Sequence, residues 1–168
     1  MQKLSALKTI TDIVFFTCMT VVIFGIPFII MYAVMPDRIP FDLKVTGENF
    51  ERAPRTGKIL LFILAYIVFL MDVYALSIFR EILGLFKKKI FFSDRISSGF
   101  NLIGRLTITS YFTFIIGETI LGFFTVQEVK VSINFTILYV LGGGYFFIVL
   151  GSIFKMAKKH KEENDLTI

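Results

Sequence analysis

Three ionisable side chains stand inside otherwise apolar stretches: Asp72, Arg105 and Glu118. A charge at the centre of a bilayer costs about 3 kcal/mol on insertion scales, so such a group must face protein, pair, or take up a proton. Intramembrane ionisable residues serve either as polar packing contacts or on ion and proton paths. Asp72 is the most conspicuous, roughly 20 Å from Lys58 by helix rise and near the middle of its run. Glu118 sits toward one end of the next run and Arg105 toward the other, with Asp72 between them in depth. The three make a candidate intramembrane polar site. Helical angles resist its simplest form, because Arg105 and Glu118 fall on roughly opposite faces at about 100° per residue. Thr107, Tyr111, Phe114 and Glu118 do share a face, so a Tyr111–Glu118 hydrogen bond or a contact with Asn134 is a structural alternative.

No other constellation carries chemistry. The sequence has no P-loop, nucleophile elbow, helical metalloprotease motif or dinucleotide fingerprint. Gly142, Gly143 and Gly144 lie mid-run without the polar setting and following Lys of a phosphate loop. With Gly151 two turns further on, they suit a packing seam where missing Cβ atoms admit a neighbouring helix. Cys18 is the single cysteine, which excludes an intrachain disulfide and a cysteine-based zinc cage. His160, the single histidine, stands in a Lys-rich tail and cannot build a metal site alone. The reading is a non-enzyme with no cofactor and no metal.

Four apolar runs must position these residues. The chain is 55% hydrophobic and only 18% charged, against about a quarter charged in soluble domains. Its mean hydropathy is +0.76, so lipid is the relevant solvent. The first run, Ile13 to Met35, reaches roughly 34 Å as a helix, enough for a hydrocarbon core of about 30 Å. Pro27 should kink it, and Pro36 and Pro40 end it. The polar segment 37–58 follows, with a weak alternation at Ile39, Phe41, Leu43 and Val45 that allows a short hairpin. The second span covers about 59–86. Ser93 with Asp94 suits the N-cap of a third helix, which spans about 97–126 after polar first turns. A short turn near Gln127 to Lys130 makes the third and fourth helices antiparallel neighbours. The fourth span covers about 131–154, and the tail 155–168 continues the helix for a turn or two.

Charge sets the orientation. One side holds Lys3, Lys8, Arg80, Lys87, Lys88, Lys89, Arg95 and the lysines of the tail. The other holds Arg38, Lys44, Arg52, Arg55, Lys58 and Lys130, with Asp37, Asp42, Glu48 and Glu51 nearly neutralising its loop. The positive-inside rule makes the first side cytoplasmic. Loop 87–96, tail 155–168 and both termini are then cytoplasmic, and 37–58 is the outer loop. With 21 Phe and no Trp, interfacial anchoring falls to Tyr, Phe, Lys and Arg. The formal net charge of +5 flanks apolar segments, which indicates anionic headgroups and no direct nucleic-acid binding. Lys87, Lys88 and Lys89 are the candidate headgroup contacts, each worth about 1 kcal/mol. Glu162, Glu163, Asp165, Leu166 and Ile168 are candidate partner contacts, because Leu166 and Ile168 put apolar side chains at a charged terminus.

Lys155 to Ile168, KMAKKHKEENDLTI, closes an apolar helix with a basic cluster and then an acidic, apolar-ended stretch. Lys89 to Gly104, KIFFSDRISSGFNLIG, leads into the third helix. Both, with the order of four spans, resemble the bacterial membrane-protein family called domain of unknown function 2975. Asp94 and Arg95 replace an acidic-then-Asn run usual there. The resemblance implies a small prokaryotic membrane protein, often encoded beside a small helix-turn-helix regulator, and no catalytic residues. The expected fold is all-α: one domain over residues 1–168, four transmembrane helices in an antiparallel bundle, multi-pass in the plasma (inner) membrane. The expected function is a regulatory or sensory membrane component that contacts a soluble cytoplasmic regulator. The alternative is a subunit of a small ion or solute transporter or channel using Asp72, homo-oligomeric because four helices rarely enclose a pore.

Overall fold

The computed structural model describes residues 2–35, 54–126 and 135–166. They form four helices: α1 (Gln2–Val34), α2 (Arg55–Lys87), α3 (Asp94–Val126) and α4 (Thr136–Asp165). At 30 to 33 residues each, they are about 45–50 Å long. Three of them, α1, α2 and α4, are long and apolar enough to cross a membrane. α3 is as long as α1 and α2 but starts with the polar turns of Asp94, Arg95, Ser97, Ser98 and Asn101. The hairpin considered near residues 39–45, the 127–130 turn, Asn134 and Ile168 lie outside the described residues.

The helices overrun the apolar runs for local reasons. α1 starts at Gln2 because its first turns are good helix formers with no breaker. Pro27 lies inside α1 without ending it. The helix stops at Val34, where the approach of Pro36 disfavours helical backbone. α2 starts directly after Pro54. α4 continues about three turns past Phe154, further than the turn or two expected. Pairs four residues apart, Lys158 with Glu162 and Lys159 with Glu163, support that extension.

A tight junction joins α2 to α3. Lys89 takes a left-handed φ of 61°. Its N–H donates to the Phe86 carbonyl, and that of Ile90 donates to Leu85, each at 3.0 Å. This pairing is a Schellman ending, which normally favours glycine at the Lys89 position. Ser93 then caps α3 as its sequence suggested, its Oγ accepting from the Arg95 N–H at 3.2 Å.

Broad packing among the described residues joins consecutive helices only: α1 on α2, α2 on α3, α3 on α4. Each pair runs antiparallel. Asp12 of α1 meets Arg80 and Val22 meets Tyr66. Ile82 of α2 lies against Gly99 of α3, while Leu64, far earlier in α2, lies against Gly117. Ser97 of α3 meets Gly151, and Gly104 meets Gly144. The core is Ala75, Ile78, Ile82, Ile96, Phe100 and Ile103, toward the Lys-rich end. α1 has no such core; Ile13, Phe16, Ile23, Phe24 and Val34 are all more than 60% exposed. An apolar face of that extent is met by lipid or another chain.

Lipid tails are as apolar as Leu, so the helices hold together by close packing. Glycine provides it at α3–α4. A Cβ on Gly104 would strike the Gly144 carbonyl oxygen, and one on Gly151 would stand 2.7 Å from that of Ser97. Ser97 Oγ donates to the Gly151 carbonyl at 2.8 Å. Of the expected glycine seam, Gly144 and Gly151 therefore pack. Gly142 and Gly143 meet nothing within 4 Å, because they project away from α3. We expect Gly104→Leu to destabilise the detergent-solubilised protein by about 2–3 kcal/mol through overpacking. Gly142→Ala should be neutral or stabilising by up to about 1 kcal/mol. Denaturant titration in mild detergent followed by circular dichroism measures both.

Candidate functional site

Three braces built on charged side chains lie at the Lys-rich end of the described helices. Arg80, near the end of α2, donates through Nε to Asp12 Oδ1 of α1. Its guanidinium also lies over the rings of Phe15 and Phe16, 5.0 and 5.2 Å from their centroids. Both partners are only about one-third exposed, where a cation–π contact and an ion pair are screened less than at a free surface. Thr11 is buried beside them, its hydroxyl donating to the Leu7 carbonyl at 2.9 Å.

A second brace ties α2 to α3. Arg95 donates to Glu81 through Nε at 2.8 Å and Nη2 at 2.6 Å, a bidentate pair. These hydrogen bonds raise the already high pKa of Arg95, with Coulombic attraction to Glu81 adding to them. A third brace ties α3 to the α4 extension. Lys158 Nζ donates to Asp94 Oδ2 at 2.5 Å, and Lys161 Nζ stands 5.2 Å from the Phe92 ring centroid. The hydrogen bond to Asp94 raises the Lys158 pKa, Glu162 adds to it, and burial opposes it. A raised ammonium pKa is stabilising below its ordinary value and is lost only in strong alkali, so the ammonium stays charged at neutral pH.

Between α1 and α2 these contacts frame a cleft of about 470 Å³ lined by Lys8, Ser77, Arg80, Glu81, Gly84, Leu85, Lys87 and Lys88. A second cleft of about 450 Å³ between α3 and α4 is lined by Asp94, Ser97, Ser98, Asn101, Leu102, Arg105 and Lys155. Arg105 thus shares a groove with Lys155, far from Glu118.

The three residues of the expected intramembrane site are not brought together. Asp72, Arg105 and Glu118 are each exposed on their helices. No hydrogen bond or ion pair joins them to any described residue, nor does one join Tyr111 to Glu118. Asp72 lies seven residues before Phe79, hence on the same strip of α2. Phe79 and Phe86 meet Phe147 and Phe154 of α4 at 6.4 and 5.6 Å between ring centroids. One heptad further along, Asp72 is left uncovered.

Lys87, Lys88 and Lys89 are exposed at the α2–α3 junction, and the first two line the α1–α2 cleft. Glu162, Glu163 and Asp165 are exposed on the α4 extension, and Leu166 is 87% exposed. Sequence reasoning missed Asp12, Lys8 and Arg80 as a unit. The only signals were an acid one residue before the first apolar run and a base near the end of the second. Among the described residues no group of three or more His, Cys, Asp and Glu converges.

The model of the family described as "Protein of unknown function (DUF2975)" matches residues 5–168. The chain belongs to that family. No curated protein and no solved structure matches it.

The Asp12–Arg80 ion pair links α1 to α2. A double-mutant cycle with Asp12→Asn and Arg80→Gln should give a coupling energy of about 1–2 kcal/mol. Unfolding free energies of the four proteins in detergent measure it.

Proposed function

We propose that this protein is a regulatory or sensory component of the bacterial plasma membrane. All four helices cross the bilayer, both termini are cytoplasmic, and the Lys-rich end meets a soluble partner. The charge bias supports this orientation: Lys3, Lys8, Lys87, Lys88, Lys89 and the tail lysines gather at one end of the antiparallel helices. α3 crosses as well in this reading, because it packs along both α2 and α4.

One observation carries the functional reading. The α4 extension is held against the α2–α3 junction by Lys158–Asp94 and Lys161–Phe92. Its acidic end, Glu162, Glu163 and Asp165 with Leu166 beyond, is therefore presented in a set direction and not as a loose tail. An apolar side chain beside fixed acids is a surface that a basic partner groove can read by charge and by burial. A small DNA-binding regulator is the partner that the family resemblance implies, with the regulator, not this chain, contacting DNA. The conduit reading has weaker support. Asp72 is unpartnered among the described residues, and neither of the two clefts described above includes it in its lining.

Removal of Glu162 to Ile168 should abolish partner capture while leaving the helices folded. Affinity purification from mildly solubilised membranes, comparing parent, truncation and Leu166→Asp, measures this. We expect at least a tenfold loss of the captured partner in both variants; an unchanged set of captured proteins contradicts the proposal.

A further inference from the structure

The α1–α2 cleft has the chemistry of a phosphate site. Two carboxylates stand near it, and both are engaged: Asp12 by Arg80, and both oxygens of Glu81 by Arg95. Lys8, Lys87 and Lys88 line the same cleft with no carboxylate partner among the described residues. Three ammonium groups around one concave site, with Arg80 fixed at its edge, leave an uncompensated positive field. Gly84 makes the floor: Lys8 Nζ lies 3.9 Å from where a Gly84 Cβ would stand, and no other atom comes as near. A side chain there would fill the space that an anion needs.

The cleft does not end at its charges. Ser77 and Gly84 continue a line of α2 that runs through Leu70 and Ile63 at seven-residue spacing. Glu81 and Lys88 continue the neighbouring line through Tyr74, Ile67 and Leu60. Those five, Leu60, Ile63, Ile67, Leu70 and Tyr74, are also the large apolar side chains that α2 leaves exposed. Heptad spacing keeps them on one strip, so an apolar track leads out of the basic cleft along the length of α2. A soluble phosphate compound would use the first part only.

We propose that this cleft and track bind an anionic phospholipid, its phosphate held by Lys8, Lys87 and Lys88 and an acyl chain laid along Leu60 to Tyr74. The proposal rests on the membrane orientation given above, which sets the Lys-rich end at headgroup level. It is independent of any protein partner. Charge complementarity selects the headgroup, and the track selects a lipid over a free anion.

The test uses the full-length protein in non-ionic detergent, with bound lipid counted by native mass spectrometry. The probes are phosphatidylglycerol, phosphatidylcholine of the same chain length, and glycerol phosphate. Phosphatidylglycerol should bind the parent at least tenfold more tightly than phosphatidylcholine. Lys8→Gln/Lys88→Gln should lose that preference, and Gly84→Leu should lose it with every cation kept. Lys155→Gln/Lys159→Gln removes the same charge elsewhere and should leave it intact. Lys88 is exposed, Lys8 is half-buried and neither belongs to the core, so their double variant stays informative if Gly84→Leu fails to fold. Equal binding to parent and Lys8→Gln/Lys88→Gln overturns the site. Displacement of phosphatidylglycerol by equimolar glycerol phosphate overturns the lipid and leaves a soluble phosphate compound as the occupant.

Discussion

Phe100 is the point on which the described structure closes. It is 3% exposed, and its ring lies 6.4, 6.1 and 5.6 Å from those of Phe86, Phe147 and Phe154. One side chain thereby joins α2, α3 and α4. Aromatic pairs at these separations contribute about 0.5–1.5 kcal/mol each beyond the area they bury. Ile82 and Ile96 are essentially fully enclosed beside it. Elsewhere in the bilayer, lipid competes with every apolar contact, and glycine approach must supply the packing. The aromatic cluster does its work near the Lys-rich end, where water is close and apolar burial again favours the folded arrangement.

The polar braces depend on that closure. Glu81–Arg95 and Asp94–Lys158 span the joints between helices that Phe100 holds at fixed separation. Exposed ion pairs of this kind contribute little alone, because water and salt screen them. Their value here is directional. They set how the α2–α3 junction and the α4 extension face the same surface, and they leave Lys8, Lys87 and Lys88 without acids. α1 is the outlier, joined to α2 by Asp12–Arg80, by Tyr66 donating to the Val22 carbonyl at 2.8 Å, and by Arg55 donating to Ala33. Gly25 has no Cβ where the Tyr66 ring passes.

Much of the helix content was legible. Long charge-free runs require helices, since only helices satisfy their own backbone in lipid. Ser93 before a polar first turn is a local signal that survives into the structure. Faces were harder to read. α1 is apolar all round, so no periodicity says that the side of Thr11, Asp12 and Gly25 meets α2. The glycine triplet looked like one seam, but successive residues point about 100° apart, so Gly144 packs while Gly142 does not. Asp12 and Arg80 are far apart in the chain, and nothing in either neighbourhood names the other. Asp72, Arg105 and Glu118 drew attention by their cost in lipid, which says where a charge is unusual and nothing about what it touches.

The α2–α3 junction and the α4 extension form one braced surface. Amide hydrogen exchange of the parent protein in lipid nanodiscs tests it directly. Residues 88–97 and 155–163 should exchange slowly and together, as one cooperative unit, and more slowly than the first turns of α1. An extension that exchanges like free peptide while the junction stays protected would contradict it.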